Sequence, residues 1–580
     1  MKCPDCMAEL RFDPSSGKLV CDYCGGSIDP KDERLIKAQL RQDADENTVA
    51  AEYADSEAMK DTLQSPSKGN GIDITGEGVT DEGIDVIEYT CPNCGGTLIS
   101  VEESVNGFCS YCGSQSMLRS RFSKMQAPKA VIPFSVTKLQ CRDSYLEKVK
   151  KAFFAPKELK DPEYLEKFRG IYIPYYVYNI RSEGPLKFKG EETTMSGSYE
   201  YTNIYECTVD INASYSGLSY DASSSFDDHF SELIAPFDAS AMKTFSTSYL
   251  AGFYADLADI PYTLYMNDAG DYVRDDIMKR CIEGKSEFSA LSYDEKKVRN
   301  SIPLSMTKRD ISTAFFPVWF LSYRKGNRVA YAVVNGETGK TVCDLPVDIK
   351  KFIFCSFSMA LPLYFCFNLL LPVMRPEHML VVMQIICCVA AGLMFSNVKK
   401  AVIRDDHLDD RGYIYKYAAN DYDAAVKKME KEKKKKANAK LIRNSSIVII
   451  IAIFFFFGMQ AFYAVLLLIG AVLKLKLLSG PGEFVYILVT VNIMFNEGKT
   501  LDDKKPMYVG GAMLLASSFI SLILTVLAPA HDAFYYAAAL ISGAGVLAGL
   551  LAVIFIFNQL STRPLPQLAR KGGDDSAPLV

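Results

Sequence analysis

Eight of the sixteen cysteines fall into two units of identical spacing. The first is Cys3-x2-Cys6-x14-Cys21-x2-Cys24, and the second is Cys91-x2-Cys94-x14-Cys109-x2-Cys112. Each Cys-x2-Cys pair places two sulfurs on one tight turn, and a short hairpin between two such turns gathers four thiolates into a tetrahedron. That donor set suits zinc, which has no directional d-electron preference and accepts soft sulfur. Glycine follows the second cysteine in three of the four turns, at Gly25, Gly95 and Gly113. It permits the left-handed backbone that aims amides at sulfur. Met7 stands in the fourth. The expected cofactors are therefore two structural zinc ions. One is held by Cys3, Cys6, Cys21 and Cys24, the other by Cys91, Cys94, Cys109 and Cys112. Four sulfur ligands leave no coordination position for water or substrate. An iron centre or a unit that no longer binds metal are the competing readings; a redox dithiol lacks the surrounding βαβ pattern. The other eight cysteines are scattered, unlike a secreted disulfide scaffold, which points to a reducing compartment.

The remaining chemistry-bearing candidates are weak. Asn335-Gly336-Glu337-Thr338-Gly339-Lys340-Thr341 looks like a phosphate-binding loop at first sight. Val334 stands where that loop needs its first glycine, four residues lying between it and the Gly339-Lys340 pair, and the flanks read as strands. A hairpin turn is expected instead. His229 lies in a Ser/Asp-rich stretch and reads as an exposed loop residue; His378, His407 and His531 receive no role. No catalytic set is evident, so no enzyme activity and no small-molecule substrate are expected. The formal net charge of -5 is small for 580 residues and indicates neither a nucleic-acid binder nor a polyanion.

The elements that must position these groups divide the chain sharply. The fold class expected is multidomain: two small four-cysteine zinc ribbons, an α+β soluble domain, and a C-terminal α-helical transmembrane bundle. The first ribbon spans 1–30 and the second 87–120, with a helical and flexible linker over 31–86 that makes each ribbon an independent folding unit. The α+β domain covers 130–347. Within it, Tyr172–Arg181 and Phe315–Arg324 are similar aromatic runs, each opened by a proline and closed by arginine. They read as corresponding strands of two related halves, with proline tolerated where no ladder donor is needed.

The transmembrane domain covers 352–560. Long uncharged runs begin at Phe352, with a charged loop over 399–443, and about 20 apolar residues suffice to cross the hydrocarbon core. About six spans are expected, the third and fourth folded from Asn444–Phe495. Lys350, Lys351, Lys399, Lys400, Arg563, Arg570 and Lys571 flank the spans and belong on the cytoplasmic side. The chain is thus expected in the cell membrane as a multi-pass protein, with both termini and the 561–580 tail cytoplasmic. Met1–Cys6 has no apolar core, so no cleavable signal peptide is expected. The spans carry almost no ionisable residues, which argues against a pump but not against a passive pore.

With the ribbons, the aromatic-proline runs and the spans together, the chain resembles a bacterial membrane family labelled transcription-factor-IIB-type zinc ribbon-containing proteins. The resemblance rests on both cysteine units, Ile132-Pro133-Phe134, Pro236-Phe237-Asp238 and Phe245–Phe253. It extends to Pro317–Phe320, Asn335–Lys340 and the tail Thr562–Pro566. The family supplies a name more than an activity. Relatives labelled primosomal helicases carry similar ribbons, but the nucleotide-binding motifs a helicase needs are missing. The functional expectation is a membrane-anchored interaction or scaffold protein, with membrane lipids and a cytosolic protein as partners. One alternative is nucleic-acid binding through Lys2, Arg11, Lys18, Arg119, Arg121, Lys124 and Lys129 around the ribbons. The other is a channel or lipid-handling protein regulated by the soluble domain.

Overall fold

The structure is a computed structural model. It describes residues 1–32, 35, 83–101, 109–115, 117–283, 285–370, 376–417, 424–431, 479–501, 503–527 and 529–565. Most of the 31–86 linker, part of the 399–443 loop, most of the Asn444–Phe495 segment and the end of the tail lie outside these residues.

The first cysteine unit is a three-stranded sheet of β1 (Leu10–Asp13), β2 (Lys18–Cys21) and β3 (Ser27–Ile28). The second belongs to a twelve-stranded sheet. Its strands β4 (Gly83–Thr90), β5 (Thr97–Ser100) and β6 (Leu118–Gln126) form one end of that sheet, and β5 is antiparallel to β11 (Tyr254–Ala255).

The sheet is centred on β8 (Arg169–Ser196) and β12 (Ile311–Lys325), which contain the two aromatic runs and pair antiparallel with each other. Neither proline opens its strand; both lie inside. Pro174 faces Phe315, and Pro317 faces Tyr172. Each proline stands where the outer partner changes. On β8 the outer side passes from β11 to β9 (Tyr199–Asp221), and on β12 from β7 (Ala130–Val131) to β13 (Arg328–Asn335). The carbonyls of Pro174 and Pro317 point outward, accepting from the N–H of Ala222 and of Gly336 at 2.8 Å each. The missing proline donors therefore face the break, and the inner ladder loses nothing. Two-residue β10 (Lys243–Thr244) closes the β7 edge. A hairpin from β13 to β14 (Thr341–Cys343) follows.

Helix α1 (Lys138–Lys151) starts at a capping box in which Thr137 and Gln140 satisfy each other's backbone N–H. It packs Cys141, Tyr145 and Val149 on the same side of the sheet as Trp319, Tyr172 and Phe134. Trp319 is buried, and its indole N–H donates to the Val136 carbonyl at 2.9 Å. The opposite side is covered by α2 (Asp228–Ile234), and the extension of β8 and β9 by α3 (Met266–Ile277).

The cysteine units are not independent bodies. Phe12 of β1 is buried at 1 % exposure against Tyr249 and Phe253, with ring centroids 5.4 and 6.4 Å away. Its N–H donates to the Ala251 carbonyl at 3.1 Å. The first unit thus shares a core with α1 and Trp319. The linker expectation missed this because docking depends on a face of the hairpin, not on chain separation.

The helices that follow are α4 (Ile349–Leu370), α5 (Pro376–Asp405), α6 (Arg411–Tyr417), α7 (Ser479–Glu497), α8 (Lys505–Leu527) and α9 (Asp532–Leu560). Among the described residues, three stretches are long and apolar enough to cross a membrane: Met383–Asp405, Lys505–Leu524 and Asp532–Leu560. Glycines bring α8 and α9 close: a Cβ on Gly549 would sit 2.8 Å from Leu514, and one on Gly510 would overlap Ala552. After α9, β15 (Arg563–Pro564) returns to pair with β13.

Candidate metal centres and the network behind them

Both cysteine units use the same turn chemistry. Gly25 and Gly113 donate N–H to the carbonyls of Cys21 and Cys109 at 2.9 and 3.0 Å, and Gly95 to that of Cys91 at 2.8 Å. The φ angles of Gly25, Gly113 and Gly95 are 71°, 72° and 76°. Met7 makes the same bond to Cys3 at 2.9 Å with φ of 60°, so it adopts the left-handed turn without being glycine. The departure from glycine leaves the turn intact, at a conformational cost of about 1–2 kcal/mol.

The turns bring together all eight sulfurs that the spacing singles out, four in each cluster, with the sulfurs of a cluster all within 4.8 Å of one another. The pairs Cys3–Cys24 and Cys6–Cys21 are 3.8 and 3.4 Å apart; Cys91–Cys112 and Cys94–Cys109 are 3.6 and 3.7 Å apart. Either cluster could hold a metal ion. Backbone N–H groups of Cys24 and Tyr23 pull the Cys21 thiol down to about 7. In the second cluster, hydrogen bonds from Cys109, Cys91 and Cys94 hold Cys112 well below the ordinary thiol range, and the bond to Cys112 pushes the Cys109 thiol up in turn. Asn93 also donates to Cys112 Sγ at 3.3 Å. Thiolate is the form that binds metal.

The surroundings of the two clusters differ. In the second, all four cysteines are buried; in the first, Cys24 is exposed. The residue before the last cysteine is tyrosine in both. Tyr23 is 83 % exposed, whereas Tyr111 is 2 % exposed. The Tyr111 hydroxyl donates to Asp256 Oδ2 at 2.5 Å, and Ser223 donates to the same oxygen at 2.6 Å. Burial raises the Asp256 carboxyl to about 6, with the nearby Asp259 charge acting in the same direction. The Tyr111 carbonyl accepts from the Tyr331 hydroxyl at 2.7 Å.

Tyr331 leads to a second buried network that sequence reasoning missed. The Arg563 guanidinium lies 4.5 Å over the Phe230 ring and 5.8 Å from that of Tyr331, and it pairs with Asp227. Asp344 pairs with Arg404 at 2.7 Å, and Arg328 with Asp405 at 2.8 Å. These ion pairs tie the sheet to the ends of α5 and α9. The only signal for them was the Thr562–Pro566 tail. Individually, Asp344, Arg404 and Asp405 look like ordinary surface charges.

The other candidates separate cleanly. The Asn335–Lys340 stretch is a turn between β13 and β14. The Asn335 side chain accepts from the N–H groups of Glu337 and Thr338 at 2.9 and 3.0 Å. A strand follows where a phosphate loop needs a helix. His229 is exposed, in the first turn of α2 rather than a loop. His407 is half-buried and stacks on Tyr413 at 3.8 Å. Arg11 pairs with Asp22 at 3.6 Å, which offsets one of the charges considered for phosphate binding.

The described residues thus define a chain with two four-cysteine centres, a sheet-rich region and membrane-length helices. No family model and no solved structure matches it. Among curated proteins it is similar to an uncharacterised protein, YdjG, of Bacillus subtilis (strain 168). The two are 26 % identical over 365 residues, which is 60 % of this chain and 91 % of that relative.

Proposed function

We propose that the chain is a membrane-anchored scaffold whose two zinc ions are structural and whose first cysteine unit presents a rigid surface to a cytosolic protein. Zinc–sulfur bonds of about 2.3 Å in a tetrahedron place sulfurs about 3.8 Å apart. Four sulfur pairs at 3.4–3.8 Å, with every pair in a cluster within 4.8 Å, suit that ion. Zinc would supply cross-linking here and no reaction, since every coordination position is taken by protein.

The observation that carries the partner reading is the contrast between Tyr23 and Tyr111. The same knuckle is sealed by Asp256, Ser223 and Tyr331 in the second unit. In the first it leaves Tyr23, Met7 and Cys24 in solvent. A metal-fixed surface open to solvent, on a unit anchored to the core by Phe12, is suited to recognition. A cytoplasmic location for the first unit, the second unit and the tail is supported by their common attachment to one body, and by the lysines and arginines at the span ends.

The test is photo-crosslinking in native membranes, with a photoreactive residue at position 23 or, separately, at 111. Position 23 is expected to capture a defined protein, and Asp22→Ala with Met7→Ala should weaken that capture. Position 111 should crosslink only within the chain. Capture at 23 of nothing beyond lipids and chaperones would overturn the scaffold reading. Two zinc ions per purified chain by elemental analysis is the accompanying expectation; none, or iron, refutes the metal assignment.

A further inference from the structure

We infer that the end of α1 and the loop after it form a membrane-surface element: Phe153 lies at the level of the lipid headgroups, and the lysines around it recruit anionic lipid. This rests on the reading of α4 and α9 as membrane helices.

The position of the bilayer surface is marked twice. On α4, Lys350 and Lys351 are the last charges before an uncharged run that begins at Phe352. On α9, no charged residue lies between Asp532 and Arg563, and Asn558 stands near the end of that run. The two marks coincide in space. The Asn558 side chain accepts from the Val347 N–H at 2.8 Å and donates to the Val347 carbonyl at 2.9 Å, one residue before Asp348. Asp348 in turn caps α4, accepting from the N–H groups of Lys350 and Lys351 at 3.0 and 3.3 Å.

The loop after α1 is tied to that level. The Asp348 N–H donates to the Phe154 carbonyl at 2.8 Å, and the Phe154 ring lies 5.0 Å from Phe352. Lys351 Nζ donates to the Phe153 carbonyl and sits 4.3 Å over the Phe153 ring. Phe153 is nonetheless 59 % exposed. An aromatic ring left open beside the first turn of a span is in the interfacial zone, where such rings partition favourably.

The charge around it fits one occupant. Residues 147–160 and 348–351 contain seven lysines and three carboxylates. Lys148, Lys150, Lys151, Lys157 and Lys350 are exposed. Basic residues held near a membrane surface attract acidic headgroups. The anionic bilayer completes the surface, because the same residues adjoin the helix that enters it.

The experiment uses full-length protein in vesicles of phosphatidylcholine with and without phosphatidylglycerol. Trp319→Phe removes the only tryptophan, and Phe153→Trp is added as the probe. Its emission is expected to be blue-shifted, protected from iodide, and quenched by lipids brominated on shallow acyl positions. Brominated phosphatidylglycerol should quench more than brominated phosphatidylcholine in mixed vesicles. Lys150→Gln with Lys151→Gln should reduce that preference, by about fivefold per lysine. Phe357→Trp in the same background is the control for insertion of α4. If the Phe357→Trp probe is quenched and the Phe153→Trp probe stays water-exposed, the surface element is refuted while the membrane reading stands. If the Phe357→Trp probe is also unquenched, the membrane reading itself fails. Equal quenching of the Phe153→Trp probe by the two lipids refutes the anionic preference.

Discussion

Removing the Phe12 ring should release the first cysteine unit from the body of the protein without emptying its metal site. Phe12 is 1 % exposed and lies beside Tyr249 and Phe253, while its own N–H bonds Ala251 at 3.1 Å. A buried phenylalanine removes roughly 150–200 Å² from water. At about 25 cal/mol per Å² that is worth about 4–5 kcal/mol, and aromatic truncations in cores usually cost about 3–5 kcal/mol. At about 1.4 kcal/mol per tenfold, Phe12→Ala should weaken docking by roughly a hundredfold to several thousandfold. Hydrogen exchange by mass spectrometry reads this directly: protection of residues 10–13 and 249–253 should fall together. Trp319 offers a second readout, because Phe253 also touches it with ring centroids 6.0 Å apart. Zinc content should stay at two, since none of the four ligands of the first unit changes. Unchanged exchange at residues 10–13 would refute the docking argument. Loss of one zinc ion would show that Phe12 supports the cluster rather than the docked face.

Other outcomes follow from the same packing. Trp319→Phe should cost about 1–3 kcal/mol in thermal or denaturant unfolding, because the Val136 carbonyl loses the indole donor in a buried site; a change near zero would mean water replaces it. Gly170→Ala should prevent stable folding, since the new Cβ would overlap the Phe253 ring and lie 3.1 Å from Phe134; normal expression and melting would refute that packing. Asp256 has a raised carboxyl, at about 6 in the folded state, so its contribution is fully present below the unfolded value near 3.8 and is lost as pH rises through 6. Neutralising it should therefore remove about 3 kcal/mol of pH dependence across that window. Asp256→Asn is expected to melt no lower than the parent at pH 7, and a large destabilisation there would show that the ionised carboxylate is required. Cys109→Ser should cost one zinc ion and also loosen β4 and β5 in the large sheet; exchange confined to residues 109–115 would restore the picture of an independent unit.

The cysteine spacing alone specified both four-cysteine clusters, because four sulfurs on two tight turns are a local matter of backbone geometry. Glycine at 25, 95 and 113 was legible for the same reason. The aromatic runs were also readable as strands, since side-chain type and a period of two are local properties. Their pairing was not. Pro174 and Pro317 lie within paired strands, and only the exchange of outer partners beside them makes that tolerable. The sequence could not distinguish Tyr23 from Tyr111, which occupy the same place in the same motif. Burial of one and exposure of the other depend on Asp256, Ser223 and Tyr331, brought to the second unit from far along the chain. Likewise Arg328, Asp344, Arg404, Asp405 and Arg563 read as scattered charges until the sheet and the helix ends meet. Local geometry is encoded over a few residues. Which surfaces are sealed, and which charges must be paired, depends on contacts tens to hundreds of residues apart, and those exist only in the folded chain.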